Sequence, residues 1–202
     1  MTRRLVERLL EELDRHGILL EMDSALPSVV TLITGEPVKG SWWGHAKGNI
    51  IYNVASELGD HQEVITAKLV SGKITYVHRR LWPSLAAIGL AKDKWQMEGL
   101  SSDAMKLLKT VEKLGTGRAD QISTKPASTA AVKELEGRML VFAQSVHTDH
   151  GKHVKELESW EHFAKRKALE PGKGSAEVHR LKFEEILADL NQRYKAKAKL
   201  PW

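Results

Sequence analysis

The chain has 202 residues, 42% of them hydrophobic, and its 31 Lys and Arg against 26 Asp and Glu give a formal charge of +5. That is enough apolar material to bury one sizeable core or two small ones without external staples. Zero Cys excludes a disulfide framework, thiolate metal ligands and a cysteine nucleophile, and it suits a reducing compartment, so the cytoplasm is the expected location.

The N-terminal stretch MTRRLVERLLEELDRHGILLEM breaks its apolar residues with charge every two or three positions, unlike a signal peptide. Its Leu5, Val6, Leu9, Leu10 and Leu13 recur at helical spacing and predict an amphipathic helix over 2–16, ended near Gly17. No run of about 18 apolar residues occurs anywhere, so no membrane partner is expected. LPSVVTLITGEP reads as a short buried helix or strand stopped by Gly35 and Pro37. In GHAKGNIIYNVASELGDH, Ile50, Ile51, Val54 and Leu58 form one helical stripe ending at Gly59. The period then changes to two. VITAKLVSGKITYVH predicts a hairpin with a two-residue turn at Ser71-Gly72, in which Leu69 opposes Ile74, Ala67 opposes Tyr76, and Lys68 and Lys73 share the other face.

LWPSLAAIGLAKDKW predicts a helix beginning near Pro83. SSDAMKLLKTVEKLG predicts another, capped by Ser101 or Ser102, with Met105, Leu108, Val111 and Leu114 as its stripe. ASTAAVKELEGRML carries Val132, Leu135 and Met139 on a third face. LVFAQSVHTDHGKHVKELESW predicts a second hairpin turning near Asp149 to Gly151. A helix at 160–168, a Gly-rich linker and a long helix at about 175–197 complete the chain, ending in the basic run RYKAKAKLPW.

The fold class is therefore α+β, mostly helical with two β-hairpins. Helix, short helix, helix and hairpin occur in that order at 101–158 and, more loosely, at 2–78. Tandem winged-helix modules would give this order, with boundaries at 1–98, 99–160 and a helical extension at 161–202. An unrelated α+β domain with two hairpins is the alternative.

For nucleic-acid contacts the candidates on the second module are Ser128, Thr129, Lys133 and Arg138 on the helix and Lys152 and His153 on the wing, although Glu134 and Glu136 share that helix. Around the first hairpin, Lys68, Lys73, Arg79, Arg80, Lys39 and Lys47 would form a basic edge beside Trp42, Trp43 and Trp82. Cations interleaved with indoles suit phosphates and unstacked bases; the alternative is that the tryptophans fill a junction between helices. HTDHGKH groups His147, Asp149, His150 and His153 without the spacing of a defined metal site, so no metal and no cofactor is assigned. Glu36 or Asp60 could act as a general base near Trp42, Trp43 and His45. No common nucleophile, phosphate-loop or zinc-protease motif is present.

The runs TAKLVSGKITYVHRRLWPSLAAIG, GLSSDAMKLLKTVEKLGTGRADQI and AAVKELEGRMLVFAQ, spanning roughly 64–146, resemble the winged-helix bacterial DNA glycosylases that remove bulky alkylated bases and unhook interstrand crosslinks. The resemblance implies tandem winged helices, duplex DNA as partner and base excision without a metal. Those enzymes carry a Gln-x-Gln motif, whereas the glutamines here, at 62, 96, 121, 144 and 192, stand alone. No catalytic residue carries over. The expected function is DNA binding, with a glycosylase-like enzyme and a protein-contact module as alternatives.

Overall fold

The computed structural model describes residues 2–122, 129–147 and 153–202. Two compact units emerge, Met1–Trp82 with Leu181–Leu200, and Pro83–Arg180 with Pro201–Trp202. The fold is α+β. Among the described residues it contains ten α-helices and two three-stranded antiparallel sheets.

In the first unit, α1 (Thr2–His16) turns its Val6, Leu9 and Leu13 stripe inward and ends at Gly17, whose φ of 79° is the left-handed geometry that a helix stop requires. β1 (Ile18–Leu20) follows at once. Ser28 caps α2 (Val29–Thr34), its Oγ accepting from the Thr31 amide at 3.2 Å, and Gly35 stops the helix at φ 90°. A 3-10 turn at Trp42–Gly44 leads into α3 (Gly48–Gly59), which buries Ile51, Val54 and Leu58. The hairpin strands β2 (Val64–Lys68) and β3 (Ile74–His78) close the unit, with strand order β1-β3-β2. The faces of α1, α2 and α3 meet Leu19, Val64 and Tyr76 in one core. Residues 183–194 of α10 (Ala176–Tyr194) add buried Phe183, Leu187 and Leu190.

The hairpin corrects the expected register. Ser71 and Gly72 do make the turn, both at positive φ, and it closes with the Lys73 amide donating to the Val70 carbonyl at 2.9 Å. The ladder, however, pairs Lys68 with Ile74 and Ala67 with Thr75. Leu69 is an extra residue on the first strand, and Leu69 and Val70 are both fully buried. Satisfying two consecutive apolar side chains breaks the alternation, so the register slips by one, as at a bulge. The Thr75 hydroxyl accepts from the Val70 amide at 3.2 Å, replacing the lost ladder bond.

The second unit begins with α4 (Trp82–Ala91) and α5 (Lys94–Met97). It repeats the order of the first through α6 (Ser102–Leu114), β4 (Thr116–Arg118), α7 (Ala119–Ile122), α8 (Thr129–Gly137), β5 (Phe142–His147) and β6 (His153–Glu158), with strand order β4-β6-β5. Ser101 caps α6. The buried face of α6 runs through Ala104, Leu107, Leu108 and Val111, rotated from the expected stripe, and Leu114, in the last turn off that face, is 55% exposed. Its core includes Val132 and Leu135 of α8, with Leu140, Val141 and Leu157. Ser159 caps α9 (Trp160–Arg166), whose Trp160 and Phe163 pack on Phe142.

Two β-strands escaped the sequence reading. β1 and β4 are three residues each, too short to display a period of two.

Candidate functional site

The site of greatest chemical interest lies on α3 and the turn before it. Between the buried positions of α3, Asn49, Tyr52, Asn53 and Ser56 are exposed, Ile50 and Ala55 are half-buried, and the first acidic residue is the exposed Glu57. Asn49 and Asn53, four apart, lie on one face. A surface helix in a chain with 28% charged residues normally carries charge at such positions. Neutral amides and hydroxyls instead offer donors and acceptors together.

Ser41 Oγ accepts from the Trp43 amide at 3.3 Å and fixes the start of the 3-10 turn. The two indoles stack, centroids 4.2 Å apart and planes at 20°. Trp42 is buried and donates from Nε1 to Glu21 at 3.3 Å. Trp43 lies outside it, 66% exposed, with the Tyr52 ring at 5.7 Å. Trp43 and Tyr52 thus form an exposed aromatic surface on a buried indole, beside the polar face of α3. The Gly48 amide donates to the His45 carbonyl at 2.7 Å. A Cβ at position 48 would meet the Trp43 carbonyl at 3.0 Å, so a glycine stands where helix and turn pass closely.

His45 and Lys47 are occupied locally. His45 Nδ1 accepts from the Lys47 amide at 3.1 Å, and the Lys47 ammonium donates to the Ile33 carbonyl at 2.8 Å and to that of Thr34 at 3.5 Å. Lys47 therefore secures the last carbonyls of α2. Trp82 donates to the Val77 carbonyl at 3.0 Å, at the end of β3, apart from the Trp42–Trp43 stack.

Lys39, Lys68 and Lys73 do come together, lining a cleft of about 900 Å³ with Glu21, Asp23 and the apolar Met22, Val38 and Ile74. Lys73 pairs with Asp23 at 2.6 Å. Burial works to raise the Asp23 carboxyl, but hydrogen bonds from Lys73 and from the Ala25 and Leu26 amides outweigh it and hold the carboxyl below its usual range. Glu21 is shifted upward by burial, only partly offset by the Trp42 hydrogen bond. Beyond the other end of β3, Arg79 pairs with Glu63 at 2.7 Å, and Arg80 bonds the Asp14 carbonyl and carboxylate. The expected basic edge is therefore partly neutralised by carboxylates in the same unit.

In the second unit, Thr129 and Lys133 are exposed on α8. Arg138 is committed to structure, its guanidinium donating to the carbonyls of Trp95, Gln96 and Glu98. Glu134 accepts from the Ser101 hydroxyl at 2.6 Å, and this bond foremost lowers its carboxyl pKa. Ser128, Lys152 and the turn residues 148–152, Asp149 and His150 among them, lie outside the described residues, as do the side chains of His147 and His153. Among the described residues no group of three or more His, Asp or Glu side chains forms a metal site. No described helix is long and apolar enough to cross a membrane.

No protein-family model, curated protein or solved structure matches the chain.

The α3 face was absent from the sequence reading, although a signal existed. Its exposed positions from Asn49 to Ser56 carry Asn, Tyr, Asn and Ser, and no charged residue stands in α3 before Glu57.

Proposed function

We propose that the chain is a DNA-binding protein of two winged-helix modules, acting in the cytoplasm, in which α3 of the first unit reads base edges. The module assignment is supported by the order helix, strand, helix, helix, hairpin in both units, with the first strand pairing beside the third in each. In a winged helix the helix before the hairpin is the one that enters the major groove. In the first unit that helix is α3.

The observation that carries the reading is the exposed, uncharged face of Asn49, Tyr52, Asn53 and Ser56. An Asn amide can contact adenine bidentately, and a hydroxyl can serve either base of a pair. Trp43 and Tyr52 at the edge of that face supply ring surface for sugars or an unstacked base. The resemblance to alkylbase glycosylases points to the same partner, duplex DNA; no catalytic group is assigned.

An NMR titration of the labelled protein with duplex DNA tests this. The amide signals of Asn49, Tyr52, Asn53 and Ser56 shift first and most. A footprint that spares α3, or no shift at low salt, overturns the assignment, and shifts produced only by a protein partner would move the chain to the class of winged helices used for protein contacts.

A further inference from the structure

The residues after α10 alternate. Lys195, Lys197 and Lys199 are exposed, while Ala196, Ala198 and Leu200 are half-buried. The segment is fastened at several points within the first unit. It leaves the helix through Lys195, at φ 52°, and the Ala196 amide donates back to the Asn191 carbonyl at 2.9 Å. The Asn191 side chain then clamps Ala198 on both sides, donating to its carbonyl and accepting from its amide, each at 2.9 Å. Finally Lys199 meets the hairpin turn. Its carbonyl accepts from the Ser71 amide at 2.7 Å and its amide donates to Ser71 Oγ at 3.1 Å.

These bonds hold the backbone and leave the lysine side chains outward. Among the described residues none of the three ammonium groups has an ion-pair partner, whereas Lys73 and Arg79, at either end of β3, are paired with acids. The alternation of exposed and half-buried positions puts the three lysines on the solvent side of the segment. A fixed row of unpaired cations on a two-residue repeat matches a repeating anion better than a single charged group.

We infer that Lys195, Lys197 and Lys199 form a phosphate-tracking strip that extends the hairpin turn, so that the wing of the first unit is completed by the segment following α10. The inference rests on the DNA-binding reading above and deepens it. The strip contacts the sugar-phosphate backbone, carries no base preference, and supplies affinity through counterion release.

The experiment is the salt dependence of binding to a labelled duplex, for the full chain and for two triple variants of equal charge loss. One is Lys195→Gln/Lys197→Gln/Lys199→Gln. The other is Lys106→Gln/Lys109→Gln/Lys113→Gln, on the exposed side of α6. The first should reduce the slope of log K against log salt by about 2 to 3, at about 0.9 per lost phosphate contact, and the second should leave it near that of the unmodified chain. An unchanged slope in the first variant overturns the strip while leaving the α3 reading intact. Equal changes in both make the effect one of net charge and also overturn it. No binding by the unmodified chain at low salt overturns both readings together.

Discussion

Trp42 and Trp43 show how neighbouring, chemically identical residues acquire different roles. The first is sealed into the core by its bond to Glu21, and the second is displayed on top of it. Trp43→Ala should therefore leave the thermal midpoint within a few degrees while weakening DNA binding by about five- to a hundredfold, since one base or sugar stack is worth about 1–3 kcal/mol. Loss of fold with Trp43→Ala, or unchanged affinity, would contradict that division. A purely structural site is Gly89, where an added Cβ would stand 2.3 Å from the Trp160 ring. Gly89→Ala should lower stability by about 1–3 kcal/mol, read as a reduced denaturation midpoint. Glu158 offers a pH test. Burial raises its carboxyl, but two bonds from Arg166, at 2.8 and 2.7 Å, and the 2.6 Å bond with His162 overcome this and lower the pKa overall. A depressed folded pKa means that the stabilisation is complete above the ordinary carboxylate pKa near 4.5 and is lost as pH falls through the lower folded value. Glu158→Gln should flatten the acid limb of the stability curve, and an unaltered limb would place the acid sensitivity elsewhere.

At the scale of elements, the hairpin decides where its lysines point. Because the Thr75 hydroxyl accepts from the buried Val70 amide, Thr75→Val should cost about 1–3 kcal/mol by stranding that N–H, measured by chemical denaturation. A neutral result would mean that the bulge holds without the bond. Much of this level was legible beforehand. The caps at Ser101 and Gly17, the stripe of α1, and the Ser71-Gly72 turn follow from local rules that tertiary packing did not override. The register did not, because consecutive apolar residues at Leu69 and Val70 can be accommodated either as alternating strand positions or as a bulge, and only burial chooses between them. The stripe of α6 failed similarly at Leu114, which is apolar but sits in a last turn facing outward. β1 and β4 had no periodic signal. The α3 face carries no charge pattern to mark it in the sequence, and most of the charged candidates are held by partners within the chain. Lys47 and Arg138 illustrate this, since both spend their donors on helix-end carbonyls, a role that no spacing reveals.

On the scale of the whole molecule, the repeated element order means that each unit contributes a helix preceding a hairpin, but the two helices differ in chemistry. α8 exposes Thr129 and Lys133 with Glu134 engaged by Ser101, whereas α3 exposes a run of neutral polar groups. Under the proposed reading affinity and recognition separate: the lysines after α10 would supply salt-dependent attraction, and α3 would supply discrimination. The formal charge of +5 alone does neither, because so many of the cations are paired.

The central claim, that α3 reads the base edges, is tested most directly by fluorescence anisotropy of a labelled duplex selected for binding from a random pool, comparing the unmodified chain with Asn49→Ala/Asn53→Ala across a salt series. With each bidentate Asn contact worth about 1–3 kcal/mol of discrimination, the double variant should bind the selected duplex at least tenfold more weakly, bind unrelated duplex as before, and keep the same salt slope. Equal affinity for the selected duplex in both proteins would contradict the account.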